Sequence, residues 1–217
     1  MEKNYRYIGY FLLLLFPIAF LGFYKSYFSQ VPDFNQKITG IFHFHVVIAI
    51  AWIVMLVLQP ILIVNKQVSL HRTVGKSSYI LFPLLILSFA LLLYHNYTSD
   101  NPRSDLNAIG DIILLCMSYG FAIYYRKTDR AKHMRYMIGS ATVLLDPTLG
   151  RIYIILVGIP PIIAINLVYV TIIAIFLYLI YLDKQSKRDY TAYKHMIWAW
   201  VGHYILVIVP ILFLKHP

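Results

Sequence analysis

Charge is scarce in this chain: 13% of its 217 residues are Asp, Glu, Lys or Arg, and only nine are acidic. An ordinary soluble domain carries about 25% charged and roughly 45–50% apolar residues. Here 60% are hydrophobic and the mean hydropathy is +0.68, more apolar surface than a globule of this length can bury. Cysteine is nearly missing too: Cys116 stands alone, which excludes an intramolecular disulfide. Phosphate-cradling, dinucleotide-binding and nucleophile-elbow motifs are absent, as are His-Glu-x-x-His and His-x-x-x-His, so no familiar catalytic signature assigns a reaction.

What is present is a series of long apolar runs. Seven stretches, about 8–28, 38–64, 77–96, 108–126, 135–158, 160–182 and 195–214, each approach the roughly 20 residues needed to cross about 30 Å of hydrocarbon. Subtracting them leaves short connectors, which predicts one transmembrane domain over residues 1–217, an all-α polytopic bundle of about seven helices. The basic start and apolar run of residues 1–26 lack a small-x-small cleavage site and read as an uncleaved first helix. Asn96-Tyr97-Thr98 fits a glycosylation sequon, a triplet common by chance.

The net charge of +10 would suit nucleic acid if it covered a soluble surface, but its placement suits a membrane. Lys3, Arg6, Lys66, Arg72 and Lys76, with the clusters Arg126–Arg135 and Lys184–Lys194, place fourteen of the nineteen basic residues on one side. Lys25, Lys37, Arg103, Arg151 and Lys215 make up the rest. By the positive-inside rule the N-terminus is inside and the C-terminus outside. The expected setting is a cell membrane, the bacterial inner membrane, with the basic loops near anionic lipids. The expected partners are lipids and a small-molecule or lipid ligand, not nucleic acid.

Ionisable residues inside the hydrocarbon cost about 2.5–3.5 kcal/mol on insertion scales, so they face the bundle interior and mark function. His45, Trp52 and Gln59 recur every seven residues on one helix face; His43 lies about 200° round from His45 at 100° per residue. Asp111 and Ser118, and Ser88 and His95, repeat that spacing in other spans. Thr142, Asp146, Pro147 and Arg151 form the most polar set, followed by Asn166 and Tyr169, and by Trp200, His203 and Tyr204. Counting about 1.5 Å per residue places His45 and Arg151 on the order of 10 Å, and Asp146 and His203 roughly 18 Å, below the outer ends. The same count leaves His95 and Asp111 at the rim. The expected site is therefore an outward-facing polar cavity lined by His45, Asp146, Arg151 and His203, with Trp52, Asp111 and His95 as further candidates.

That cavity admits several chemistries. His45, Asp146 and His203 offer ligands for one metal, and zinc there would deliver hydroxide to a lipid ester or amide. A b-type haem needs histidines of matched depth on different helices. Either His45 and His95, or the inner layer His71, His133 and His195, would supply them. Binding or transport would use Arg151 to hold an anion and Asp146 or His203 to relay protons. A structural or accessory subunit needs only a satisfied polar network. The inner histidines are evenly spaced, 133 − 71 = 62 and 195 − 133 = 62. Two share a triplet, Lys132-His133-Met134 and Lys194-His195-Met196, which suggests a repeated helical hairpin.

The stretch His43-Phe44-His45, Trp52, Gln59-Pro60 and Leu70-His71-Arg72-Thr73-Val74-Gly75-Lys76 resembles a bacterial family of multi-helix membrane proteins with no established reaction. Lys132-His133-Met134-Arg135, Asp146-Pro147 and Arg151-Ile152 resemble its second block, so the likeness covers about residues 40–152. It implies the architecture and no mechanism. His71-Arg72-x-x-Gly75 is also similar to histidine-bearing segments of haem-binding membrane cytochromes.

Overall fold

The computed structural model describes residues 2–34, 39–97 and 102–213, all helical or connecting. Among the described residues, six helices are long and apolar enough to cross a membrane: Gly40–Val64, Ser78–His95, Leu106–Tyr125, Arg130–Val157, Pro161–Gln185 and Thr191–Leu212. The run expected as a seventh span forms a shorter apolar stretch, Ile8–Phe23, made of α1 (Ile8–Leu12) and α2 (Leu15–Phe23). The break at Leu13–Leu14 precedes Pro17, whose ring clashes with the carbonyl four residues earlier and whose nitrogen carries no hydrogen. The Thr98 end of the sequon, Lys37 and Lys215 lie outside the described residues.

The side-chain distribution is that of a protein with an apolar solvent. Val47, Ile80 and Val170 are about two-thirds exposed, whereas Arg135, Asp183, Asp111, Asp146 and His203 are buried. The chain folds as two compact units, residues 1–99 and 100–217.

In the first unit α3 (Gly40–Val64) packs on α1, on α4 (Val68–Lys76) and on α5 (Ser78–Tyr97). Gly9 lets α1 approach closely, because a Cβ there would lie 2.8 Å from Ile61 Cγ1. The face bearing His45, Trp52 and Gln59 is the one turned to α5 and α4. His45 Nδ1 meets Ser88 Oγ at 2.9 Å, and fully buried Trp52 packs on Phe82, ring centres 5.4 Å apart. With its amide nitrogen turned to α4, Gln59 donates to His71 Nδ1 at 2.6 Å and accepts from the Gly75 N–H at 3.3 Å. His43, on another side of α3, bonds Tyr27 Oη at 2.7 Å.

In the second unit α6 (Pro102–Tyr125) and α7 (Arg130–Val143) form a hairpin. Asp129 caps α7 by accepting from the Lys132 N–H at 2.9 Å, as an N-cap carboxylate should. The chain continues through α8 (Leu145–Arg151) and a wider π-helical turn, Ile152–Val157. Gly158, at φ 80°, makes the left-handed exit. Pro160 and Pro161 then open α9 (Pro161–Gln185), where Pro161 gives up no helical hydrogen bond. Finally α10 (Thr191–Phe213) packs on α6, α7 and α9.

The end of this unit that carries the basic connectors is tied by polar contacts. Arg135 Nε and Nη2 each donate to an Asp183 carboxylate oxygen at 2.8 Å, with both side chains sealed from solvent. Tyr136 Oη and His195 Nδ1 lie 2.7 Å apart, and His133 Nδ1 donates to the Ala122 carbonyl at 2.8 Å. At the α9–α10 turn, hydrogen bonds from Thr191 pull the Asp189 carboxyl down to about 2. It therefore remains charged opposite Lys132 Nζ at 3.2 Å.

Removing one partner from a buried ion pair strands the other charge. Arg135→Met should lower stability by about 3–5 kcal/mol, read as detergent unfolding. The double change Arg135→Met with Asp183→Leu should recover most of that loss. A double variant as unstable as the single one would contradict the pairing.

Candidate metal centre

Three helices of the second unit bring Asp111 (α6), Asp146 (α8) and His203 (α10) together, each offering a ligand atom within 4.8 Å of the others. Their exposures are 2%, 6% and 4%, so water does not solvate the two carboxylates and the protein must.

Supporting groups hold the cluster in place. Asn107 Nδ2 donates to Asp146 Oδ2 at 2.9 Å. Tyr169 Oη lies 2.6 Å from His203 Nδ1, and His203 Nε2 lies 3.2 Å from the Asn107 carbonyl. Because a carbonyl only accepts, a neutral His203 carries its proton on Nε2 and accepts a hydrogen bond from the Tyr169 hydroxyl at Nδ1. His203 Nε2 is also 3.5 Å from Asp111 Oδ1, an oxygen that receives no hydrogen bond among the described residues. Trp200 packs against both aromatic partners, 5.3 Å from His203 and 5.9 Å from Tyr169 between ring centres. Arg151 Nη1 donates to the Pro147 carbonyl at 2.9 Å, and its charge acts on both Asp146 and Asp111.

The imidazole reaches this position because residue 110 is glycine. A Cβ at Gly110 would overlap the His203 ring, so α10 could not seat it against α6. Gly120, further along α6, has open space where a Cβ would go.

Two of the three residues expected as ligands, Asp146 and His203, therefore lie together, and within this unit the third is Asp111. His45 belongs to the first unit, where it bonds Ser88 and packs on Phe89. Trp52 sits in that unit's core, and His95 makes an edge contact with Phe42 at 5.4 Å. Asp111 was expected at the rim, but α6 begins at Pro102 rather than at 108. That extension puts it about nine residues, roughly 14 Å, along the helix, level with the other two. The same extension brings in Asn107, which a helix starting at 108 leaves in a loop. No local signal marks it, since its partner is 39 residues away.

His71, His133 and His195 serve as helix links. His71 bonds the Gln59 side chain and His133 the Ala122 carbonyl, each reaching back to the preceding helix. His195 reaches Tyr136 on α7 instead, so the 62-residue spacing is mirrored in contacts at two of its three positions. No family model, curated protein or solved structure matches the chain, and the centre is read from its own geometry.

Gly110→Ala should destabilise the protein by about 1–3 kcal/mol through overpacking, whereas Gly120→Ala should stabilise it by about 0.5–1 kcal/mol. Thermal unfolding of both variants in one detergent compares them directly. Equal effects would mean that His203 is not seated against Gly110.

Proposed function

We propose that this is a multi-pass cell-membrane protein that binds one divalent transition-metal ion, zinc by its ligand set, between Asp111, Asp146 and His203. The observation that carries this reading is the convergence of three buried ligand atoms from three helices within 4.8 Å. Zinc takes carboxylate oxygen and imidazole nitrogen at about 2.0–2.2 Å in a tetrahedral array. That array needs ligand atoms roughly 3–3.5 Å apart, which side-chain adjustments of about 1 Å supply here. Three protein ligands leave a fourth position for water or a substrate atom.

Charge favours the same conclusion. Two carboxylates are held out of water against one guanidinium, that of Arg151, and an uncompensated buried charge is costly. A divalent cation supplies the missing positive charge and occupies the unbonded Asp111 Oδ1. A proton shared by the two carboxyls is the competing way to balance the site. Haem iron takes axial His, Met, Cys or Tyr ligands, and two carboxylates with one histidine do not suit it. On binding, His203 would present Nε2 to the ion and donate from Nδ1 to Tyr169, an outer hydrogen bond of the kind that fixes metal-bound histidines.

The protein's orientation follows from charge: the end bearing Arg126–Arg135 and Lys184–Lys194 faces the cytoplasm. The motif blocks in residues 40–152 further support kinship with the bacterial membrane family they resemble.

Elemental analysis and zinc titration of the purified protein test the site. Near-stoichiometric zinc is expected, lost in Asp146→Asn and His203→Ala, with Tyr169→Phe weakening affinity about 10–100-fold. Folded protein that takes up no divalent ion would leave the shared proton as the answer. Orientation is tested by cysteine labelling in a Cys116→Ser background. Reagent reaching the Lys184–Lys194 turn from outside intact cells would reverse the assignment.

A further inference from the structure

Asp146 and His203 sit near the middle of their spans, and Asp111 is the sixth of the 20 residues of Leu106–Tyr125. Asp111 is the tenth of the 24 residues of α6, and His203 is the thirteenth of the 23 of α10. Asp146 is the seventeenth of the 28 residues of Arg130–Val157. An ion held there lies within the spans, several residues from either end of each.

The helices that present the ligands are not alike. Asp111 lies on one uninterrupted helix, and His203 lies in a continuous stretch of α10. Asp146 lies on α8, seven residues long, between a break at Leu144 and the π-helical turn Ile152–Val157. At the break the Leu144 N–H bonds Ala141, three residues back, and Pro147 has no N–H to offer. Side chains take carbonyls of this stretch: Thr148 Oγ1 donates to Leu144 O at 2.6 Å and Arg151 to Pro147 O. Ile154, Ile155, Leu156 and Val157 are 38–63% exposed, so this turn is packed less tightly than the buried stretch of α7 before it. Gly158 and Pro160 end the segment.

A resident catalytic or structural ion calls for ligands on rigid elements. A carried ion needs a site that binds it and then gives it up, and carriers build such sites near the midplane from interrupted helices. Building on the zinc-site reading, we infer that the ion is cargo, and that the protein carries divalent zinc-type cations across the membrane with Asp146 as the ligand that withdraws. Asp111 and His203 are the fixed half of the site. Rotation of the Leu145–Val157 segment about Leu144 and Gly158 takes Asp146 away, leaving two ligands and a weakly held ion. Pro147 keeps the segment from joining α7 as one stiff helix.

The test uses the full chain in vesicles with an entrapped zinc-selective fluorophore, zinc alone being added outside. Vesicles with the wild-type protein should fill several-fold faster than protein-free vesicles, and Asp146→Asn should return filling to the protein-free rate. Pro147→Ala should bind zinc stoichiometrically in detergent yet fill the vesicles several-fold more slowly. Stoichiometric zinc in detergent with filling no faster than protein-free vesicles would make the ion resident; this overturns the inference and leaves the binding site standing. Folded protein without bound zinc overturns both. Pro147→Ala filling at the wild-type rate overturns the role given to the segment.

Discussion

Hydrocarbon offers a charge no hydration, so every ionisable side chain within a span must turn inward and find a partner there. That constraint orders the second unit, and it is met in two ways. Near one end, Arg135 and Asp183 satisfy each other through two parallel hydrogen bonds at 2.8 Å. The pair is complete, neutral and sealed, with nothing left to bind. Deeper within the spans, Asp111 and Asp146 face one guanidinium and one histidine that Tyr169 and Asn107 already engage. This second cluster is organised but short of positive charge. The contrast separates a structural fastening from a cluster of the same residue types that could hold a cation.

Small features around the cluster gain meaning from this difference. Gly110 clears the space for His203, Tyr169 sets the imidazole's hydrogen bonding, and Asn107 orients Asp146. Each contact crosses between helices, so the centre forms only when α6, α8, α9 and α10 are all in place. The interrupted backbone about Asp146 is the exception to this rigidity, and it lies where a ligand must move if the ion is to leave. Elsewhere the histidines do plainer work: His71, His133 and His195 each hold one helix to another near the basic loops.

Much of the architecture was legible in the order of residues, because crossing hydrocarbon demands long apolar runs that composition cannot conceal. Six of the expected spans follow from those runs, and the shorter Ile8–Phe23 stretch traces to a proline whose effect on the preceding turn is local. The face shared by His45, Trp52 and Gln59 was readable for the same reason, since helical periodicity needs no knowledge of neighbours. Asp146 and His203 could be placed at one level by counting residues. Asp111 could not, because the largely polar stretch 102–107 hid the true start of α6 and shifted its depth by about 9 Å at the helical rise.

The sequence by itself thus determined a membrane-embedded, all-helical chain with polar residues turned inward, for the energy of transferring side chains to hydrocarbon acts on each residue separately. Only the tertiary structure decided which polar residues meet. Asn107, Asp146, Tyr169 and His203 are joined across as many as 96 positions, and no local pattern encodes which helix faces which. Asp111 at the centre and a histidine seated against a glycine are consequences of packing.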